Sequence, residues 1–270
     1  MGTNEVSYVR RLVGELIRAH RVRAGFTQKD AGKKLRISES LVGAVERAER
    51  IPANELLLEM EELFAANGAL KDCCDMLDEE KYPPKFVGYA KAERTARIIN
   101  GYETMVIPGL LQTEAYAYAL HRVRVPAYTE AEVVSRVEAR LERQSVLTRT
   151  PPPHVGYVIE ESVLERCLGG PGVLKEQLQH ILDCVERYQH LTVQVMPTAQ
   201  PSHAGLWGSF QLLSTEGGRG LVYVESRGGD RYISQPDQVI DTFDLFGILR
   251  AQAHNPWTSA EIIEKKMGQL

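Results

Sequence analysis

Histidines, paired carboxylates, cysteines and glycine-rich turns are the residues of this 270-residue sequence with the most chemical reach, and none stands at a spacing that carries a reaction. His154, His180, His190 and His203 fall into no HExxH or paired-ligand spacing, so no zinc site is predicted. Glu160-Glu161 and Glu225 are the candidate acid–base carboxylates, but side chains this common single out no active site. There is no G-x-S-x-G elbow and no GxxxxGK[ST] loop. Gly169-Gly170-Pro171-Gly172 resembles a phosphate loop in composition only, because it follows no predicted strand and its proline lacks an N–H. Cys73, Cys74, Cys167 and Cys184 form no CxxC pair and read as reduced structural thiols. The expectation is no enzyme, no metal and no cofactor.

Charge gives a more specific indication. The net charge of -4 conceals an asymmetry. Between Val6 and Arg36, nine basic residues face two acids, whereas from Ile37 to Glu80 three bases face twelve acids. A module with one face towards phosphate and another towards solvent or a partner has this pattern, as do two oppositely charged solvated helices. No apolar run approaches the ~18 residues that span a bilayer, and the MGTNEVSYVRRL start lacks a signal peptide's apolar core. A cytoplasmic chain with no membrane partner is expected.

The elements that must position such a face are short helices. Val9, Leu12, Val13, Leu16 and Ile17 recur at helical spacing over Val6–Ala24, and Gly25 closes the run. Thr27 caps a second predicted helix to about Leu35, and Ser38 caps a third to about Arg47, before a break at Pro52. Leu56, Met60, Leu63 and Phe64 mark a fourth, closed by Asn67-Gly68. An acidic stretch ending in Tyr82-Pro83-Pro84 is the candidate boundary between domains at 1–80 and 81–270.

Beyond it, Thr129-x-x-Glu132 is a capping box opening a charged helix to about Arg149, stopped by Pro151–Pro153. Strands are predicted at Val155–Ile159, Thr192–Met196, Ser209–Leu213 and Leu221–Val224, with a hairpin turn at Gly217–Gly220. Helices are predicted over Val173–Tyr188, Val239–Ala253 and Ser259–Met267. The fold class is α+β: an all-α N-terminal domain, then a larger α+β domain with a small, mostly antiparallel sheet.

The string Thr27-Gln-Lys-Asp-Ala-Gly-Lys-Lys-Leu-Arg-Ile-Ser-Glu-Ser-Leu-Val-Gly-Ala-Val-Glu46, with Pro52 beyond it, resembles the Xre, or lambda-repressor-like, helix-turn-helix pattern. Ala31 and Gly32 are small where two helices cross, while Leu35, Ile37, Val42 and Val45 supply the core. The resemblance implies a structural pair between Arg21 and Glu46. It also implies DNA contact through Thr27, Gln28 and Lys29 at one helix start, Ser38, Glu39, Ser40 and Ala44 on the next helix, and Arg47 at its end. Two departures stand out: Ala48 occupies a left-handed position where glycine is usual, and Glu39 opposes the phosphate field while remaining able to accept from a cytosine amino group.

The blocks from Ile98 to Leu120 (with P-G-L-L-Q-T-E at its centre), Glu138–Gln144, Gly169–Leu178, Leu191–Pro197 and Leu221–Ser226 are similar to the C-terminal domain of actinobacterial WhiJ-like, antitoxin-like Xre regulators. That resemblance implies a transcriptional regulator whose second domain binds a small companion protein; a homodimer on operator DNA is expected from the usual two-half-site logic. From the residues themselves, the P-G-L-L-Q-T-E block reads as a loop feeding a helix capped by Thr113. It is either a core signature or a partner- or ligand-gripping surface with Tyr102, Glu103, Gln112 and Glu114 as polar anchors. Trp207 and Phe210 either line a pocket mouth or pack on the sheet. Arg136, Arg140 and Arg143 share one helical stripe, read as a solvated face or a second phosphate-contacting surface. A protein-interaction module with a degenerate DNA-binding fold and a small-molecule-sensing repressor are the alternatives.

Overall fold

Residues 8–81, 84–215, 217–226 and 230–270 are described by the computed structural model, which falls into two compact units, Met1–Val87 and Gly88–Leu270. Val6, where the first helix was expected to start, and Tyr82-Pro83 at the expected boundary lie outside the described residues.

Five helices make the first unit: α1 (Tyr8–Arg23), α2 (Gln28–Leu35), α3 (Glu39–Glu46), α4 (Asn54–Phe64) and α5 (Ala69–Lys81). Val13, Ile17, Ala31, Leu35, Val45, Leu57, Met60, Phe64, Leu70 and Leu77 form its core. Fully burying side chains such as Ile17 or Leu57 contributes about 1.5–3 kcal/mol each. α5 departs from the sequence reading, which left its residues as an acidic connector. Leu70, Cys73 and Leu77 put an apolar stripe inside that acidic composition, and the stripe joins the core cluster that holds Val13 and Ile17 of α1.

Glycine shapes this unit at the crossing of α1 and α3. A Cβ on Gly14 would sit 2.7 Å from the Glu46 carbonyl oxygen, so only glycine lets the two backbones approach this closely.

α6 (Pro84–Thr95) leads into the second unit. There the strands are β1 (Ala96–Glu103), β2 (His154–Glu160), β3 (Leu191–Met196), β4 (Phe210–Thr215), β5 (Gly220–Val224) and β6 (Arg231–Ile233). They form one sheet in the order β3-β2-β1-β4-β5-β6. The helices are α7 (Glu114–Arg122), α8 (Glu130–Arg143), α9 (Pro171–Arg187), α10 (Pro236–Gln252) and α11 (Pro256–Met267).

The sheet is mixed, which corrects the expectation of a mostly antiparallel one. β1 pairs with β2, and β2 with β3, in parallel, while β1–β4, β4–β5 and β5–β6 are antiparallel. The parallel half follows from connection length. β1 reaches β2 through α7 and α8, and β2 reaches β3 through α9, and crossovers of this kind are what parallel neighbours require. β4 and β5 are joined by the short Gly217–Gly218 turn, at φ +90° and +76°, and so run antiparallel.

One face of the sheet presents Tyr102, Val158, Phe210, Leu212 and Val222, clustered with Val239, Phe246 and Leu249 of α10. Gly101, Tyr157, Gln211 and Tyr223 sit at matched register positions on the opposite face. Tyr89 of α6 lies on that face, its ring 4.9 Å from that of Tyr223.

Candidate functional site

The helix-turn-helix is built by local capping. Thr27 accepts from the Asp30 N–H at 3.1 Å, while Asp30 accepts from the Thr27 N–H, completing a capping box at the start of α2. The Thr27 hydroxyl, donating to Asp30 Oδ2 at 2.6 Å, and the Thr27 N–H lower the Asp30 pKa. Arg36 turns the chain in a left-handed conformation, φ +57°, and Ser38 then caps α3 by accepting from the Leu41 N–H at 3.1 Å. Lys29, Lys33, Lys34 and Arg36 are exposed along α2 and the turn, as are Ser38, Glu39 and Ser40 at the start of α3. The first-turn N–H groups of both helices add to that cationic row, the arrangement that holds phosphate.

Behind this surface lies a buried ion pair. Arg21 Nε donates to Glu46 Oε1 at 2.5 Å, Arg21 Nη2 to Glu46 Oε2 at 3.0 Å, and Arg21 Nη1 to the Phe26 carbonyl at 2.6 Å. Gln28 Nε2 donates to the same Glu46 Oε2 at 2.7 Å. Glu46 thus links α1, the start of α2 and the end of α3, with its lone pairs well occupied, the condition under which a buried pair offsets its desolvation.

Gln28 is therefore half-buried and committed to Glu46, which the sequence did not reveal. Ala44 is half-buried on α3. Arg47 is exposed, and its guanidinium is held by Glu49 at 2.8 and 2.9 Å. A Cβ on Gly43 would fall 2.9 Å from Arg47 Nη1 and 3.3 Å from Gln28 Oε1, so this glycine lets both side chains lie over α3. Ala48 takes the left-handed conformation at φ +57°.

In the second unit, the surface expected from Tyr102, Glu103, Gln112, Glu114, Trp207 and Phe210 does not form as one patch. Tyr102 and Gln112 are buried, each about 1% exposed. Phe210 is also buried, because β4 turns it towards α10 with Tyr102. Of the six, Glu114 and Trp207 are exposed. Glu114 lines a groove of about 710 Å³ between α7 and the start of α9, with Tyr118, Arg122, Val123, Val173 and Glu176. Trp207, 98% exposed, and Leu206, 79% exposed, project from the loop before β4. That loop rests on Tyr102: Gly205 packs so close to its ring that any Cβ there would overlap it. Tyr102 Oη donates to Glu160 at 2.7 Å, and His203 Nε2 bonds to the same carboxylate oxygen at 2.8 Å. His203 Nδ1 accepts from the Gly205 N–H at 2.9 Å, which places the ring proton on Nε2.

The P-G-L-L-Q-T-E block is held by three glutamines, of which only Gln112 stood out in the sequence. Gln112 Nε2 donates to the Ile107 carbonyl at 2.7 Å, and Gln144 Nε2 to the Gln112 carbonyl at 2.7 Å. Gln177, fully buried, accepts from the Thr113 N–H at 2.8 Å and donates to the Leu111 carbonyl at 2.6 Å. Their Nε2 groups all donate to backbone carbonyls, so sequence periodicity carried no sign of these bonds. Thr113 caps α7, accepting from the Tyr116 N–H.

The arginine stripe of α8 is not a solvated face. Arg143 forms a bidentate pair with buried Glu93 of α6 at 2.8 and 2.9 Å, and Arg140 donates to Gln112 Oε1 at 3.0 Å. Arg136 stacks over the Tyr128 ring, 4.1 Å from its centroid. Nearby, Glu103 accepts from Gln211 Nε2 at 2.5 Å. Burial, reinforced by the Glu225 charge and opposed by Arg140 and Gln211, pushes the Glu103 carboxyl up to about 8.

Among the described residues, no group of three or more His, Cys, Asp or Glu is placed to hold a metal ion. Nor is any helix among them long and apolar enough to cross a membrane.

Comparison with known families assigns both units. A helix-turn-helix domain model matches residues 12–72, covering the capped α2–α3 pair and its buried Arg21–Glu46 support. A second model, described as Domain of unknown function (DUF5753), matches residues 86–265. No curated protein and no solved structure matches the chain. With two thirds of its residues inside the second match, the chain belongs to the DUF5753 family, and it carries a helix-turn-helix domain ahead of that region.

Proposed function

We propose that the chain is a cytoplasmic, non-enzymatic transcriptional regulator of the Xre type that binds operator DNA as a homodimer. In this reading α3 enters the major groove, and Thr27, Lys29, Ser38, Ser40 and Arg47 lie at phosphates or base edges. Glu39 and Ala44 are the positions nearest the bases, and Gln28 acts by holding Glu46. The supporting observation is the exposed cationic row of α2 and the turn, set on a helix pair that a buried Arg21–Glu46–Gln28 cluster fixes in place. Selection of bound duplexes from a random library by the full-length protein tests it. Enriched sequences with two half-sites about 34 Å apart support the dimeric reading, and a pool that stays random contradicts sequence reading.

The second domain is assigned the regulatory part, gripping a small companion protein in an antitoxin-like manner. The observation favouring this is the exposed Leu206–Trp207 tip, seated on Tyr102 through Gly205, since large apolar side chains held out in solvent mark contact sites. Co-purification from the native host with wild type and Trp207→Ser is the test. A small protein retained by the wild type and lost in the variant supports the assignment, and equal retention removes Trp207 from it.

A further inference from the structure

Among the described residues, Arg140 has no carboxylate within ion-pair distance. It sits part-buried on α8, and of its five donors the structure gives one a hydrogen bond, Nη1 to Gln112 Oε1 at 3.0 Å. Gln112 is itself fixed by donating Nε2 to the Ile107 carbonyl, so the acceptor offered to Arg140 is neutral. The acids that Arg140 senses are engaged elsewhere or outside: Glu93 is bidentate to Arg143, Glu103 is bonded by Gln211, and Glu225 is exposed. With its carboxyl held up to about 8, Glu103 is mostly protonated at neutral pH and supplies little negative charge. Desolvation accordingly lowers the Arg140 pKa to about 10, with Arg143 reinforcing it.

Neighbouring groups are unsatisfied in the same sense. His121 on α7 senses both Arg140 and Arg136, and its buried Nε2 has no hydrogen-bond partner, nor has the buried Nε of Arg136. Burial and these two cations hold the His121 imidazole down to about 4, so it is neutral and can donate from one nitrogen. A partly buried charge left this way is destabilising, and an anion would complete it. Gly109 packs directly against this side chain: a Cβ there would come 2.9 Å from Arg140 Nη1 and 3.2 Å from its Cδ, so only glycine lets the guanidinium lie against the backbone of the turn.

We propose that Arg140 is the anchor of a binding site for a small organic monocarboxylate, at the seam between the Gly109–Gln112 turn and helices α7 and α8. The planar guanidinium fork matches a carboxylate through two parallel hydrogen bonds. A phosphate dianion fits less well, because it brings a second negative charge towards Glu93 and Glu225. The site lies within the second unit, whereas the α2–α3 surface lies within the first.

The test is isothermal titration of the full-length protein with sodium acetate, pyruvate and benzoate, against matched sodium chloride and inorganic phosphate, in wild type and Arg140→Gln. Saturable binding of at least one carboxylate, weakened tenfold or more in Arg140→Gln, is the expected result. No saturable carboxylate binding, equal binding in a folded variant, or tighter binding of phosphate overturns the proposal. Where Arg140→Gln does not fold, the Nε–H resonance of Arg140, assigned by its loss in Arg140→Lys, serves instead. Its saturable shift with a carboxylate supports the site, and a stationary resonance overturns it.

Discussion

Gln28 and Glu46 are joined across the helix-turn-helix by a 2.7 Å hydrogen bond from the first residue of α2 to the last residue of α3. Because Arg21 grips both oxygens of the same carboxylate, the angle between the two helices depends on one buried anion with three donor side-chain nitrogens.

Removing the cation should therefore be costly. Arg21→Ala is expected to destabilise the first unit by about 3–5 kcal/mol, since it leaves Glu46 buried and unpaired. Gln28→Ala is expected to cost about 1 kcal/mol, the worth of one hydrogen bond. Urea unfolding followed by circular dichroism measures both, and equal losses for the two variants would contradict the hierarchy.

Two small-residue substitutions should move stability in opposite directions. Gly14→Ala drives a methyl to 2.7 Å from the Glu46 carbonyl and should cost about 1–3 kcal/mol by forcing α1 and α3 apart. Ala48→Gly relieves a left-handed alanine at φ +57° and should add about 1 kcal/mol. Thermal unfolding of the two variants checks the signs, and a stabilising Gly14→Ala would refute the close approach.

The raised carboxyl of Glu103 has a defined pH consequence. Its pKa in the fold is about 8 against an ordinary 4.5, so between those values the folded state keeps a proton that the unfolded chain has released. The stability it contributes is fully present below about pH 4.5 and is lost as pH rises through 8, with a slope of at most about 1.4 kcal/mol per pH unit. Burial sets the shift, the Glu225 charge adds to it, and Arg140 and Gln211 oppose it. Stability of wild type minus that of Glu103→Gln should fall over this window. The opposing titration of His121, held down to about 4, is common to both proteins and cancels. A flat difference would contradict the shift.

Much of the first unit was legible in the sequence because its signals are local. Thr27 and Ser38 act within three residues, and Gly25, at φ +79°, ends α1 by its own backbone. α5 was missed because an acidic composition masked the spacing of Leu70, Cys73 and Leu77. In the second unit the strands over 155–159 and 192–196 were visible, but their parallel pairing depends on which segments the crossovers bring together. β1 was read only as part of the block around Tyr102, and three-residue β6 is too short to show periodicity. The site residues failed for a related reason. Tyr102 and Gln112 are polar types that composition places at the surface, yet Glu160 and the Ile107 carbonyl satisfy them inside, and Arg140 is drawn in by a single bond to Gln112.

DNA binding through α2 and α3 is the central claim, and the salt dependence of binding tests it most directly. Affinity of the full-length protein for a duplex recovered by selection is measured by fluorescence anisotropy over a series of salt concentrations, for wild type, Lys29→Ala and Arg47→Ala. The expected result is a linear fall of log K with log salt, shallower by about 1 for each variant that loses a phosphate contact. Affinity and slope unchanged in both variants would contradict the assignment of this face to DNA.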